Sequence, residues 1–138
     1  VYRGAAAKEI AKDKIYYIKR GEILQTDDVK ILCFGGADDP TDDLFSDNVP
    51  NEKDFENCLA NLEKVGGSVD YIITHSPSGR TVRFLDLNSN ATGATLDFLD
   101  ILQSKVRYKK WYFGCGHKDK YISPKMQAVY EEVYKLGE

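Results

Sequence analysis

Apolar residues along the chain fall into short runs divided by glycine- and aspartate-rich punctuation. Val29 to Phe34 and Val69 to Thr74 are mostly apolar and β-branched, and Trp111-Tyr112-Phe113 is an unbroken aromatic run. Runs that do not alternate predict strands buried on both faces. Between the first two, Asn51 precedes Phe55, Cys58, Leu59, Leu62 and Val65, spaced three and four residues apart, with Gly66-Gly67 behind them. That is a capped helix with a glycine stop. A second helix over Thr95 to Lys105 places Leu96, Leu99 and Leu102 on one stripe with Phe98 and Ile101 beside it. Strand, helix, strand, helix, strand is the order of an α/β fold.

The flanks are less regular. Ile15-Tyr16-Tyr17-Ile18 and Ile23-Leu24 around Gly21 predict a two-stranded hairpin. Ala5 to Lys14, rich in alanine and lysine, reads equally as a short helix or as a trailing arm. Asp38 to Asn51 holds five aspartates, two prolines and two asparagines, which buries little apolar surface and predicts a long loop. In the tail, Ile122, Met126, Val129, Tyr130, Val133 and Tyr134 match a helical stripe, while Met126, Ala128 and Tyr130 also alternate as in a strand.

A length of 138 residues suits one domain over residues 1–138. The chain opens on Val1, so a trimmed, processed or partial protein is the expectation. Hydrophobic residues at 42% and charged residues at 30% set disorder, collagen and coiled coil aside. The net charge of −3 is too mild to indicate nucleic acid or an anionic membrane as partner. No apolar run nears the roughly 20 residues of a membrane span and no signal-peptide pattern is present, so a cytoplasmic protein is the expectation. Cys33, Cys58 and Cys115 are odd in number and widely spaced, which fits reduced thiols better than disulfides.

Both histidines, His75 and His117, fall at or just past the ends of apolar runs, where α/β folds place ligand sites. Imidazole is the commonest protein ligand for transition metals. Either histidine alone is more often a structural or surface residue. Cys115, between Gly114 and Gly116, is a possible thiolate ligand or a small buried side chain. With Asp38 or water as a fourth ligand, His75, Cys115 and His117 would make a small zinc site. Asp38, Asp39, Asp42 and Asp43 lack the glycine and distal glutamate of an EF-hand and read first as turn residues. Arg80 and Arg83 follow His75 closely enough to be phosphate contacts, or simply exposed loop arginines.

The order of these segments resembles the latter part of calcineurin-like metallophosphoesterases. Ile15 to Glu22 is similar to that family's strand and turn before the central sheet, and Phe34-Gly35-Gly36-Ala37-Asp38 to its glycine-rich strand end. Val69 to Pro77, with Thr74-His75-Ser76-Pro77, looks like its Thr-His-x-Pro element, and Gly114-Cys115-Gly116-His117 falls where it has Gly-His-x-His. The resemblance implies part of a β-sandwich flanked by helices and hydrolysis of a phosphoester through two divalent ions (Mn, Fe, Zn or Mg). His75 would bind one metal and His117 the other, with Cys115 in place of a further histidine. Asp38, Asp39 and Arg80 would line the substrate mouth.

The family's Asp-x-His, Gly-Asp-x-x-Asp and Gly-Asn-His-Glu elements are absent, so the implied protein is a fragment with half of a two-metal site, inactive alone and ill suited to holding two metals. The resemblance also turns residues 125–136 into a strand. It leaves a sheet face to be covered by a missing N-terminal segment or a second copy. The competing reading is a non-catalytic interaction module derived from the same fold.

Overall fold

Leu32, Ile72, Trp111 and Met126 stand side by side on four neighbouring strands, and Phe34, Thr74, Phe113 and Ala128 form the next row. These two rows are the centre of the sheet in the computed structural model, which describes residues 7–26, 28–38, 48–85, 87 and 92–138. The strands are β4 (Lys30–Phe34), β5 (Tyr71–Thr74), β6 (Lys110–Phe113) and β8 (Met126–Ala128), all parallel. β3 (Glu22–Gln25) and β7 (Lys120–Ser123) close the two edges antiparallel, giving the order β3-β4-β5-β6-β8-β7. A separate hairpin joins β1 (Ala7–Ala11) and β2 (Ile15–Ile18).

Three helices connect the parallel strands: α1 (Glu52–Lys64), α2 (Gly79–Phe84) and α3 (Ala94–Lys105). The apolar stripes of α1 and α3 meet the sheet through Cys58, Leu62, Phe98, Leu99 and Leu102, all buried with the strand rows in one core. Phe98 links the layers, its ring 5.2 Å from that of Phe34 on β4 and 4.5 Å from that of Phe55 on α1. Asn51 caps α1 as expected: its side chain accepts from the Asp54 N–H while the Asp54 carboxylate accepts from the Asn51 N–H. Gly66-Gly67 ends the helix with both residues at positive φ.

The mixed sheet and three helices place the chain among α/β folds, as the alternation predicts. Four local expectations change. Ala7–Ala11 is a strand, because pairing with β2 outweighs the helical preference of alanine and lysine. The predicted Ile15/Ile23 hairpin divides in two: β2 pairs backward with β1, while β3 pairs forward with β4. Ser76 to Gly79 does not end as a turn but leads into α2, capped by the Ser78 hydroxyl. The tail forms the short strand β8, after a strand β7 that the pattern did not show. Residues 39–47 of the long acidic loop lie outside the described residues.

The opposite face of the sheet carries Ile31 and Cys33, Tyr71 and Ile73, Lys110 and Tyr112, and Gln127. Residues near the C-terminus cross it at β6, where the Gly137 N–H donates to Tyr112 Oη at 2.8 Å and Lys110 Nζ donates to the Glu138 carbonyl. Over β5 the cover thins, and Ile73 remains 41% exposed. Among the described residues no helix is long and apolar enough to cross a membrane.

Trp111 is fully buried, so its indole N–H must find a partner inside. It donates to Thr74 Oγ1 at 2.7 Å, and that hydroxyl in turn donates to the Ser76 carbonyl. Thr74→Val keeps the side-chain shape but orphans the indole N–H, and is expected to lower stability by about 1–3 kcal/mol. Thr74→Ser should retain most of it. Urea unfolding followed by the fluorescence of Trp111 checks both, and equal stability of the two variants would contradict the assignment.

Candidate functional site

Because β4, β5, β6 and β8 are parallel, the loops leaving their carboxyl ends share one edge of the sheet. Phe34 is level with Thr74 and Thr74 with Phe113, so Gly35-Gly36, His75-Ser76 and Gly114-Cys115 begin at the same height. The His75 carbonyl accepts from the N–H groups of both Gly114 (3.0 Å) and Cys115 (2.8 Å). This cross-link binds the two histidine-bearing loops to one another through backbone alone. It leaves the His75 side chain outside, and the residue is exposed.

The loop after β6 turns sharply. Gly116 has φ +93° and His117 φ +48°, a left-handed backbone that a side chain adopts only where its surroundings hold it there. The His117 ring is exposed and stacks on Tyr130, just past β8, with centroids 5.1 Å apart and planes within 17°. Cys115 points the other way in effect: it packs against the core and lines a cavity of about 80 Å³ with Leu85, Phe113, Ile122 and Ala128. Among the described residues no three His, Cys, Asp or Glu side chains gather into a group that would hold a metal ion.

Asp38 and Arg80, expected at a substrate mouth, are engaged in the fold. Asp38 Oδ1 and Oδ2 accept from the Thr95 N–H at 2.9 and 3.1 Å, and Oδ2 also accepts from the Leu96 N–H. The carboxylate thereby caps α3 from a distance, replacing the side chain that its own cap residue, Gly93, lacks. A Cβ on Gly93 would lie 2.2 Å from Asp38 Oδ2, so glycine there is what lets the carboxylate approach. The Arg80 guanidinium donates to the Asp100 carbonyl at 3.0 Å and to Ser104 Oγ, tying α2 to α3. Asp39 lies outside the described residues.

Two residues that the pattern did not single out organise the same edge. Arg20, after β2, donates to the Gly35 carbonyl at 2.6 Å and the Asn48 carbonyl at 3.2 Å, and pairs with Asp54 at 2.7 Å. It holds the loop after β4 against the start of α1. Gly36 is needed in that loop, since it sits at φ +101° and a Cβ would meet the Asn48 carbonyl at 2.2 Å. Asp119 accepts from three successive backbone N–H groups, those of Tyr130, Glu131 and Glu132, at 2.8, 2.8 and 3.2 Å. Those bonds hold its carboxyl below the usual carboxylate range.

Comparison with protein-family models, with curated proteins and with solved structures finds no match to this chain.

Removing the Asp38 carboxylate leaves the first turn of α3 uncapped. Asp38→Ala is expected to cost about 0.5–2 kcal/mol and to speed hydrogen exchange at the Thr95 and Leu96 amides. Unchanged exchange at both amides would show that the cap is dispensable. The thiols provide a second test. Burial pushes Cys33 up to about 11 and Cys58 up to about 12, so at pH 8 only roughly one Cys33 in a thousand is thiolate. Peptide mapping after brief iodoacetamide treatment should find Cys115, at the open edge, labelled first and Cys58 unlabelled.

Proposed function

We propose that this chain carries half of the metal-binding centre of a phosphoester hydrolase of the calcineurin-like type, and that it has no turnover by itself. The observation that carries the reading is the pairing of β5 with β6. It brings the loops bearing His75 and His117 to one edge and fastens them by two hydrogen bonds to the His75 carbonyl. The order of the segments supports it, and the strands ending in Thr-His-x-Pro and Gly-x-Gly-His are neighbours in the sheet. On this reading the fold is the helix-flanked second half of a sandwich, and His75, Cys115 and His117, which form no ready-made metal group among the described residues, close on a divalent ion as it binds.

The donor set limits what the chain can hold. Imidazole and thiol groups suit one borderline ion such as zinc, with water completing its shell. They do not suit two ions, because no carboxylate among them bridges and offsets the charge of a dication pair. The acidic candidates nearby are spoken for, Asp38 at the α3 N-terminus and Asp119 by the backbone of residues 130–132. The remaining ligands would come from a preceding segment or a partner.

A second reading, the interaction module, is favoured by the uncovered apolar surface. Ile73 on the open sheet face is 41% exposed, and in the hairpin Ile15 and Tyr17 are 55% and 54% exposed. A second copy or a preceding segment seated there would bury it.

The deciding assay is hydrolysis of an aryl phosphodiester with added manganese, beside a His117→Ala control, together with the rate of Cys115 alkylation with and without zinc. No turnover above the control, with alkylation slowed by zinc, is the expected result. Metal-dependent turnover lost in the variant would make the chain an enzyme as it stands. If zinc leaves alkylation unchanged as well, the metal reading fails and the interaction module is left.

A further inference from the structure

A histidine on an exposed loop ordinarily samples several rotamers, and ordering it for a ligand costs conformational entropy. His117 is held instead by a ring contact that is itself fixed by a carboxylate. Tyr130 lies flat against the ring, and Asp119, two residues after His117, fixes the backbone that carries Tyr130. The three N–H groups that converge on the Asp119 carboxylate belong to consecutive residues, so the segment after β8 is wrapped around one anion. The Tyr134 hydroxyl joins the same carboxylate. The loop after β6 and the segment after β8 leave neighbouring parallel strands, and these contacts make them one unit.

The geometry points to Asp119 and Tyr130 as positioning residues that preset the orientation of the His117 imidazole. A stacked tyrosine covers a face of the ring and uses neither nitrogen. The nitrogen lone pair and the N–H lie in the ring plane, at its edge, where a ligand or a transferring proton would meet them. A carboxylate bonded directly to the imidazole would also orient it, but at the expense of one nitrogen. Here the carboxylate acts one step removed: it binds backbone, the backbone presents Tyr130, and Tyr130 sets the plane of His117. The inference rests on the reading above only in taking His117 to be a site residue.

The test uses the whole chain and its two histidine ring signals, with His117→Ala assigning them. In the parent protein the ring current of Tyr130 should displace the His117 Cε1–H signal. Tyr130→Phe should keep the displacement, while Tyr130→Leu and Asp119→Ala should lose it with the His75 signal unmoved, which shows the sheet intact. Manganese titration then reports on site use, with about tenfold more ion needed to broaden the His117 signal in Tyr130→Leu than in the parent.

A His117 signal unchanged in both Tyr130→Leu and Asp119→Ala would overturn the inference, as would a displaced signal with an unchanged manganese requirement. Absence of broadening in the parent protein sinks the metal reading instead, and the ring signals alone then decide whether Asp119 and Tyr130 hold His117.

Discussion

The chain of bonds from the Trp111 indole through the Thr74 hydroxyl to the Ser76 carbonyl is the constraint around which the rest is arranged. A tryptophan fills the middle of a small core better than any other side chain, but it brings an N–H that cannot stay unpaired. Thr74 resolves this because its hydroxyl both accepts and donates. In donating to Ser76 it curls the chain back immediately after the strand, so the turn that projects His75 is set by the packing of Trp111. The level at which His75 leaves the sheet then decides where its carbonyl meets Gly114 and Cys115. Core packing, strand register and site geometry are therefore one problem here, and a change at Trp111 would be felt at His75.

Much of this was readable from the sequence where the signal is local. The strands at Lys30–Phe34, Tyr71–Thr74 and Lys110–Phe113 are short apolar runs bounded by glycine or polar residues. The helices α1 and α3 show their three- and four-residue spacing and, for α1, its cap. That both histidines sit beyond strand ends followed from the same runs. The tail was ambiguous for a physical reason: β8 is three residues long, too short for a period to declare itself, and its pairing with β6 is set by contacts distant in sequence. β1 was hidden because alanine and lysine carry helical propensity that only the cross-strand partner overrides.

The side-chain roles were harder to read, and Asp38 shows why. An aspartate after a glycine-rich strand end reads as a site residue or a turn residue, and nothing nearby in sequence reveals that it caps a helix more than fifty residues on. Asp119 is the converse. Its acceptance of backbone N–H groups 11 to 13 residues away is a long-range form of the turn bonds that aspartate makes locally. The one available cue was its place two residues after a candidate histidine.

The edge of the sheet separates groups that the fold consumes from groups that it leaves over. Asp38, Arg20, Arg80 and Asp119 are all charged, all near the carboxyl ends of the strands, and all bonded to backbone. His75 and His117 lie among them, yet no hydrogen bond falls on either imidazole among the described residues. The His117 ring is held against Tyr130, whereas His75 is bonded through its backbone and its side chain is exposed. The loops are immobilised through the His75 carbonyl, the Asp119 carboxylate and the Tyr130 ring, each of which acts on backbone or on a ring face. That division between spent charges and unspent imidazoles is what the proposal of a ligand at this edge rests on.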